Sequence, residues 1–186
     1  MNNIAIISAS VRPGRVSHRV ALYFKNLIEE KKLGTVTMLD LAEYDFPVFH
    51  ERLRLLDSPS AEAIDFAEKI KKADGVIIVT PEYNGGYPAS LKNVIDLLSE
   101  EWRKKPVAIS TVSTGVFGGV GAIIPLQYTL WKIQTITATA MFPVPKIKEA
   151  FNELGVPADK PATDERATRF LNELGWCMEA KRRMNS

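Results

Sequence analysis

The chain has 186 residues, 46% of them hydrophobic and 25% charged, enough to bury one sizeable core and ordinary for a soluble globular domain spanning 1–186. A net charge of +2 and an isoelectric point near 8.6 argue against a nucleic-acid partner, which asks for a concentrated basic face. The single cysteine, Cys177, excludes a disulfide framework or multi-thiolate metal site within the chain, and no apolar run approaches the roughly 20 residues of a membrane-spanning helix.

The uncharged opening MNNIAIISAS does not read as a signal peptide, so a cytoplasmic protein is expected, and NIAIIS within it reads as a buried strand. A helix follows with Val20, Phe24, Leu27 and Ile28 on one face. TVTML, ending near Asp40, is a second strand. Ser58-Pro59 predicts the start of a second helix, whose apolar face is Ala63, Phe66, Ala67 and Ile70. GVIIVT is a third strand, and Pro88 opens a third helix with Leu91, Val94, Ile95 and Leu98 inward. PVAIST is a fourth strand, followed by the glycine-rich STGVFGGVG and a helix to about Trp131. TITATA is a fifth strand. An irregular piece through Pro143, Pro145, Pro157 and Pro161 leads to a last helix that buries Phe170, Leu171, Leu174 and Met178, with Cys177 packed among them and Lys181–Arg183 as a solvated end.

Strand and helix alternate five times with no linker or repeat, which predicts an α/β fold with helices on both faces of a parallel sheet. Of the two common doubly wound orders, five strands favour the flavodoxin-like three-layer α/β/α sandwich with strand order 2-1-3-4-5. Ligands in such sheets sit beyond the carboxyl ends of the strands, at the switch point between the first and third. The loops after strands one, three and four therefore matter most.

The first loop, SASVRPGRVSHR, carries the hydroxyls of Ser10 and Ser17, arginines at 12, 15 and 19, and a Pro13-Gly14 turn before a helix start. No acidic residue occurs in the first 28 positions. It lacks the phosphate-loop and GxGxxG patterns, yet hydroxyls and Arg12 ahead of a helix N-terminus suit a terminal monophosphate. The alternative is a capped helix with surface arginines and an exposed His18. The third loop lies in PEYNGGYPASLKN, residues 81–93, where Gly85 and Gly86 permit positive φ and let a planar ring approach the main chain. Tyr83 and Asn84 then border that ring, unless the loop is simply a rigid turn. In the fourth loop, Ser113-Thr114-Gly115 and Gly118-Gly119 are small enough to leave one ring face open to a second planar molecule. Glu82 has no catalytic partner in sight and reads as structural or as an intersubunit contact. With two histidines, His18 and His50, and no GxSxG elbow, the reaction chemistry belongs to a cofactor.

IISASVRPGRVSHRVA, TPEYNGGYPASLKNVIDLLSEEW and STGVFGG together resemble the NADPH-dependent FMN reductase family of flavodoxin-fold quinone, chromate and azo reductases, over nearly the whole length. The resemblance implies FMN as cofactor, with Ser10, Arg12, Ser17 and His18 at its phosphate. It implies Pro81, Glu82, Tyr83, Asn84 and Gly85 along the isoalloxazine, Ser113, Thr114, Gly115 and Gly118 nearby, and Arg15 at the phosphate of NADPH. It further implies hydride transfer from NADPH to the flavin N5, then release of the electrons to a small-molecule acceptor such as a quinone, azo compound, chromate or free flavin. Such relatives form homodimers or homotetramers through the helices after strands three and four, which makes Tyr87 and Trp102 contact candidates, although core packing explains both equally well. Two positions depart from the family: Gly121 stands where arginine is common, and His18 where asparagine is frequent. An FMN-bearing electron carrier or redox sensor is the alternative, but flavodoxin carriers are strongly acidic and this chain is not. A flavin-free nucleotide-binding fold is a third reading.

Overall fold

Five apolar segments assemble into one parallel sheet in the computed structural model, which describes residues 2–184. The strands β1 (Asn2–Ser8), β2 (Gly34–Asp40), β3 (Gly75–Pro81), β4 (Pro106–Val112) and β5 (Ile136–Val144) lie in the order β2-β1-β3-β4-β5, and every pairing is parallel. This is the expected flavodoxin-like order, with the switch point between β1 and β3.

Alternation along β1 shows why both faces must be covered. Ile4 and Ile6 enter one core while Ala5 and Ile7 enter the other. Helix α1 (His18–Glu30), the short α5 (Ile147–Ala150) and α6 (Lys160–Met184) cover the first face; α2 (Ala61–Lys72), α3 (Ala89–Leu97) and α4 (Ile123–Lys132) cover the second. In the first core Phe24, Phe142 and Phe170 meet with ring centroids 5.0, 5.1 and 5.8 Å apart. Truncating such a ring to alanine costs about 3–5 kcal/mol. Cys177 is buried in the same core, as expected.

Three local expectations are corrected. Helix α2 begins two residues later than Ser58-Pro59 suggests, because Ser60 is the residue whose hydroxyl accepts from the Ala63 N–H, at 3.2 Å. Strand β5 runs on through Pro143 to Val144. It is an edge strand, where a proline's missing N–H costs least. Pro161 belongs to the first turn of α6, capped by Asp159, which accepts from the Ala162 N–H at 3.1 Å. Trp102 is wholly buried in the second core and is no subunit contact. Tyr87 is half-buried, its hydroxyl 2.7 Å from that of Thr129.

Candidate cofactor-binding site

At the carboxyl ends of β1, β3 and β4 a cavity of about 360 Å³ opens, walled by Ser10 and residues 12–17, Pro81–Tyr83, Val112–Thr114 and Lys148. The three loops singled out in the sequence converge here. A separate cavity of about 320 Å³ beside Tyr44, Phe46 and Val48 has Asp45 as its one charged residue. Anion chemistry therefore belongs to the first.

The loop after β1 leaves one hydroxyl unused. Ser17 precedes α1 with helical backbone angles, φ −63° and ψ −26°, and its side chain makes no capping bond. Its Oγ has no hydrogen-bond partner among the described residues, and the residue is only 2% exposed. Leaving such a hydroxyl unsatisfied costs about 1–3 kcal/mol, and Ser17 lines the cavity. Ser10 Oγ lies 2.8 Å from the Tyr83 hydroxyl, and the Arg12 guanidinium sits over the Tyr83 ring, 5.6 Å from its centroid. These two contacts tie the first loop to the third.

No acidic residue stands in the first 28 positions, yet strand register brings one to this loop. Ser8 pairs with Asp40 across β1 and β2, which places a buried carboxylate beneath the loop. Arg15 donates to its two oxygens through Nη1 and Nη2, and Nη1 also donates to the Ser10 carbonyl at 2.9 Å. Arg15 thus lines the cavity with its charge already balanced. His18 does not line it. Its Nδ1 lies 3.1 Å from Ser8 Oγ and 3.3 Å from Asp40 Oδ2. Burial lowers its pKa against the opposing pull of Asp40, with Arg15 adding to the fall, so the ring is neutral near pH 7.

In the loop after β3, Tyr83 and Gly86 exchange both backbone hydrogen bonds, at 2.8 and 3.1 Å. Asn84 and Gly85 fill the turn with φ of 52° and 78°. This is the hairpin geometry favoured by Asn-Gly. The left-handed pair is thus Asn84-Gly85, not Gly85-Gly86, and both stand exposed beyond the cavity wall. Pro81, Glu82 and Tyr83 form the wall itself.

In the loop after β4, Ser113 and Thr114 line the cavity and Gly115 does not. Gly118 is buried, and a Cβ there would meet Pro143 and the Val144 and Pro145 backbone at 3.1–3.2 Å. Gly119 is equally pressed, with Val112 O 2.9 Å from its would-be Cβ. These glycines fold the loop back onto the sheet, and the large apolar side chains it exposes are Val116 and Phe117.

Residues 2–149 match the NADPH-dependent FMN reductase family. The chain belongs to that family. It is 30% identical over 196 aligned positions to the NAD(P)H-dependent FMN reductase of Saccharomyces cerevisiae, covering 96% of this chain and 98% of the yeast protein. A segment of 79 residues is 44% identical to the quinone reductase of Escherichia coli, covering 40% and 42% of the two chains. The fold is shared with the flavoenzyme NAD(P)H:(acceptor) oxidoreductase FerB from Paracoccus denitrificans, with a TM-score of 0.78, 24% identity, and coverage of 96% of this chain and 98% of that one. The protein is an oxidoreductase whose cofactors are FMN and NAD(P)H.

The cavity suits that chemistry: among the described residues the Ser17 hydroxyl has no hydrogen-bond partner and the Arg12 guanidinium no ion-pair partner, and both line its wall. Two residues in or beneath this cavity carry no local signal in the sequence. Asp40 arrives through strand pairing with Ser8, which TVTMLD does not announce. Lys148 arrives on a short helical turn within the proline-rich piece after the fifth strand.

Proposed function

We propose that FMN binds in the 360 Å³ cavity, with its phosphate received by Ser17, Ser10 and Arg12 and its ring against Pro81–Tyr83 and Ser113-Thr114. In this reading Asn84, Gly85, Gly115 and Gly118 shape the rim, and Arg15 and His18 support the phosphate loop from beneath, through Asp40. The observation that carries it is the partnerless Ser17 Oγ inside a cavity wall that also holds Arg12. When bound, FMN supplies the redox chemistry, taking a hydride from NAD(P)H and passing electrons to an acceptor. The protein's own part is binding, orientation and exclusion of water. Glu82 has its carboxylate engaged by a backbone N–H and performs no proton transfer. Quinones are the acceptor class best supported, through the quinone reductase relative. Reliance on NAD(P)H supports a cytoplasmic setting, and the two cores on one shared sheet support reading 1–186 as one domain.

A second copy of the chain is the proposed partner. Val120 in the turn before α4 and Ile124, Tyr128 and Trp131 on α4 are exposed apolar residues forming a stripe, with Ile124 77% and Trp131 66% exposed. A stripe of this kind marks an interaction face, and a helix face pairing with its own copy gives a closed dimer. Light scattering of the Ile124→Asp variant should report a smaller species than wild type; an unchanged mass removes this interface.

The central test is the visible spectrum of protein with FMN, before and after anaerobic NADPH. Bleaching on mixing, reversed by a quinone, is expected. A bound flavin that neither NADPH nor NADH bleaches would leave the carrier reading standing and overturn the enzyme.

A further inference from the structure

Lys148 reaches the cavity from α5, away from the loop that carries Ser10, Arg12 and Ser17. Its position is built. The Lys146 N–H donates to the Gly115 carbonyl at 2.9 Å and the Ile147 N–H to the Ser113 carbonyl at 3.1 Å. Ile147 is fully buried, and Arg19 of α1 donates to the Phe151 carbonyl at 2.8 Å. The turn is therefore fixed between the loop after β4 and the first turn of α1. Lys146 takes φ 46° and ψ 46° there, a conformation that residues other than glycine seldom adopt, and it precedes the buried Ile147 and the exposed Lys148.

Charge accounting around the cavity isolates two cations. Arg15 is held by Asp40, Arg19 lies 3.7 Å from Glu153, and Lys146 lies 3.8 Å from Glu149. The one carboxylate in the wall, Glu82, accepts from Gly121. Arg12 and Lys148 have no ion-pair partner among the described residues. Two uncommitted cations on separate elements, with the uncommitted Ser17 hydroxyl in the same wall, form a receptor for a doubly charged oxyanion.

We propose that Lys148 binds a phosphate monoester in this cavity. The proposal rests on the reading that FMN occupies it. Two molecules of the reaction carry that group: FMN at its 5′ end and NADPH at its 2′ position. Riboflavin and NADH are the same molecules without it.

Binding of FMN and of riboflavin to wild type and to Lys148→Ala is followed by flavin fluorescence, and KM is measured for NADPH and NADH at saturating FMN. If FMN is the source, Lys148→Ala weakens FMN by roughly five- to ten-fold, in line with one partly exposed charge-assisted bond, and leaves riboflavin unchanged. If NADPH is the source, FMN affinity holds while KM for NADPH rises by a similar factor and KM for NADH does not. Lys148→Arg restores the affected ligand in either case. The proposal fails if Lys148→Ala moves none of these, or moves each phosphorylated ligand and its counterpart equally. Wild-type protein that binds neither flavin overturns both the proposal and the reading beneath it, whereas wild-type binding with an inert Lys148→Ala overturns Lys148 alone.

Discussion

Glu82 and Gly121 join the loop after β3 to the segment that enters α4. The Gly121 N–H donates to Glu82 Oε2 at 2.9 Å, and a Cβ on Gly121 would stand 2.6 Å from Oε1 and 2.8 Å from the carboxyl carbon. The acid in the cofactor wall is thus a strut between two loops, and the residue it braces has to be small.

The backbone of Gly121 has no positive φ, so the strain of an alanine there falls first on the Glu82 carboxylate, which supplies its three nearest atoms. Glu82→Ala and Gly121→Ala should each cost about 1 kcal/mol, the lower end for a charge-assisted bond at a partly exposed site. The double variant should be no worse than either single one, since the second change has nothing left to disrupt. Urea unfolding of the four proteins decides it, and strictly additive losses would rule the strut out.

Ser17→Ala separates a ligand role from a structural one. Removing a buried hydroxyl that has no partner should leave the flavin-free protein as stable as wild type or slightly more so. The same change should weaken FMN roughly ten-fold, the equivalent of one bond to a charged oxygen. Thermal unfolding without flavin and flavin titration give the two numbers. Destabilised protein with unchanged flavin affinity would reverse the assignment.

The parallel sheet and its order were legible because GVIIVT and its counterparts are continuous apolar runs, which only a sheet covered on both faces accommodates. The three loops were legible because fold topology places ligands at those strand ends. Register was not legible. Nothing in TVTMLD says that Asp40 will lie beside Ser8, so the ion pair with Arg15 and the siting of His18 appear only with the fold. Gly118 and Gly119 mislead for a related reason: a glycine needed for close packing and one left open for a ligand look alike in sequence. Pro143 and Pro145 hid the end of β5, because proline signals a break unless the strand is known to be an edge.

His18 and Asp40 make a titration that checks this geometry. Burial is the leading cause of the lowered His18 pKa, while Asp40 opposes it. NMR titration should therefore place the His18 midpoint below 6.5, the ordinary histidine value. Asp40→Asn should lower it further, because the opposing charge is gone while Arg15 remains. A folded pKa below the unfolded one means that the unfolded chain binds more protons as pH falls through 6.5, so acidification destabilises the fold. A midpoint above 6.5, or one raised by Asp40→Asn, contradicts the arrangement.

At the opposite end of the sheet, Lys105 supplies a stability profile with a turning point. Its ammonium is buried, donating to the Lys71 carbonyl at 3.2 Å and to that of Ala73. Burial, assisted by the charge of Lys181, lowers its pKa to about 8 from 10.5. Between those values the unfolded chain holds a proton that the folded chain has released, so stability rises with pH, by at most about 1.4 kcal/mol per unit. Tyr23 acts oppositely. Burial, with its 2.8 Å hydrogen bond to Asp164, raises its pKa well above 10. Above about pH 10 the unfolded tyrosine ionises while the folded one does not, and stability falls. Urea unfolding followed from about pH 7 to about 11 should show a rise above pH 8 that turns over between about pH 9 and 10, as the buried Cys177 thiol, raised above its ordinary 9.0, and then Tyr23 oppose it. Lys105→Met should abolish the rising limb and keep the falling one. Tyr23→Phe should keep the rising limb and delay the fall. A flat profile between pH 8 and 9, or a rising limb that survives Lys105→Met, would show that the buried ammonium does not titrate in that window.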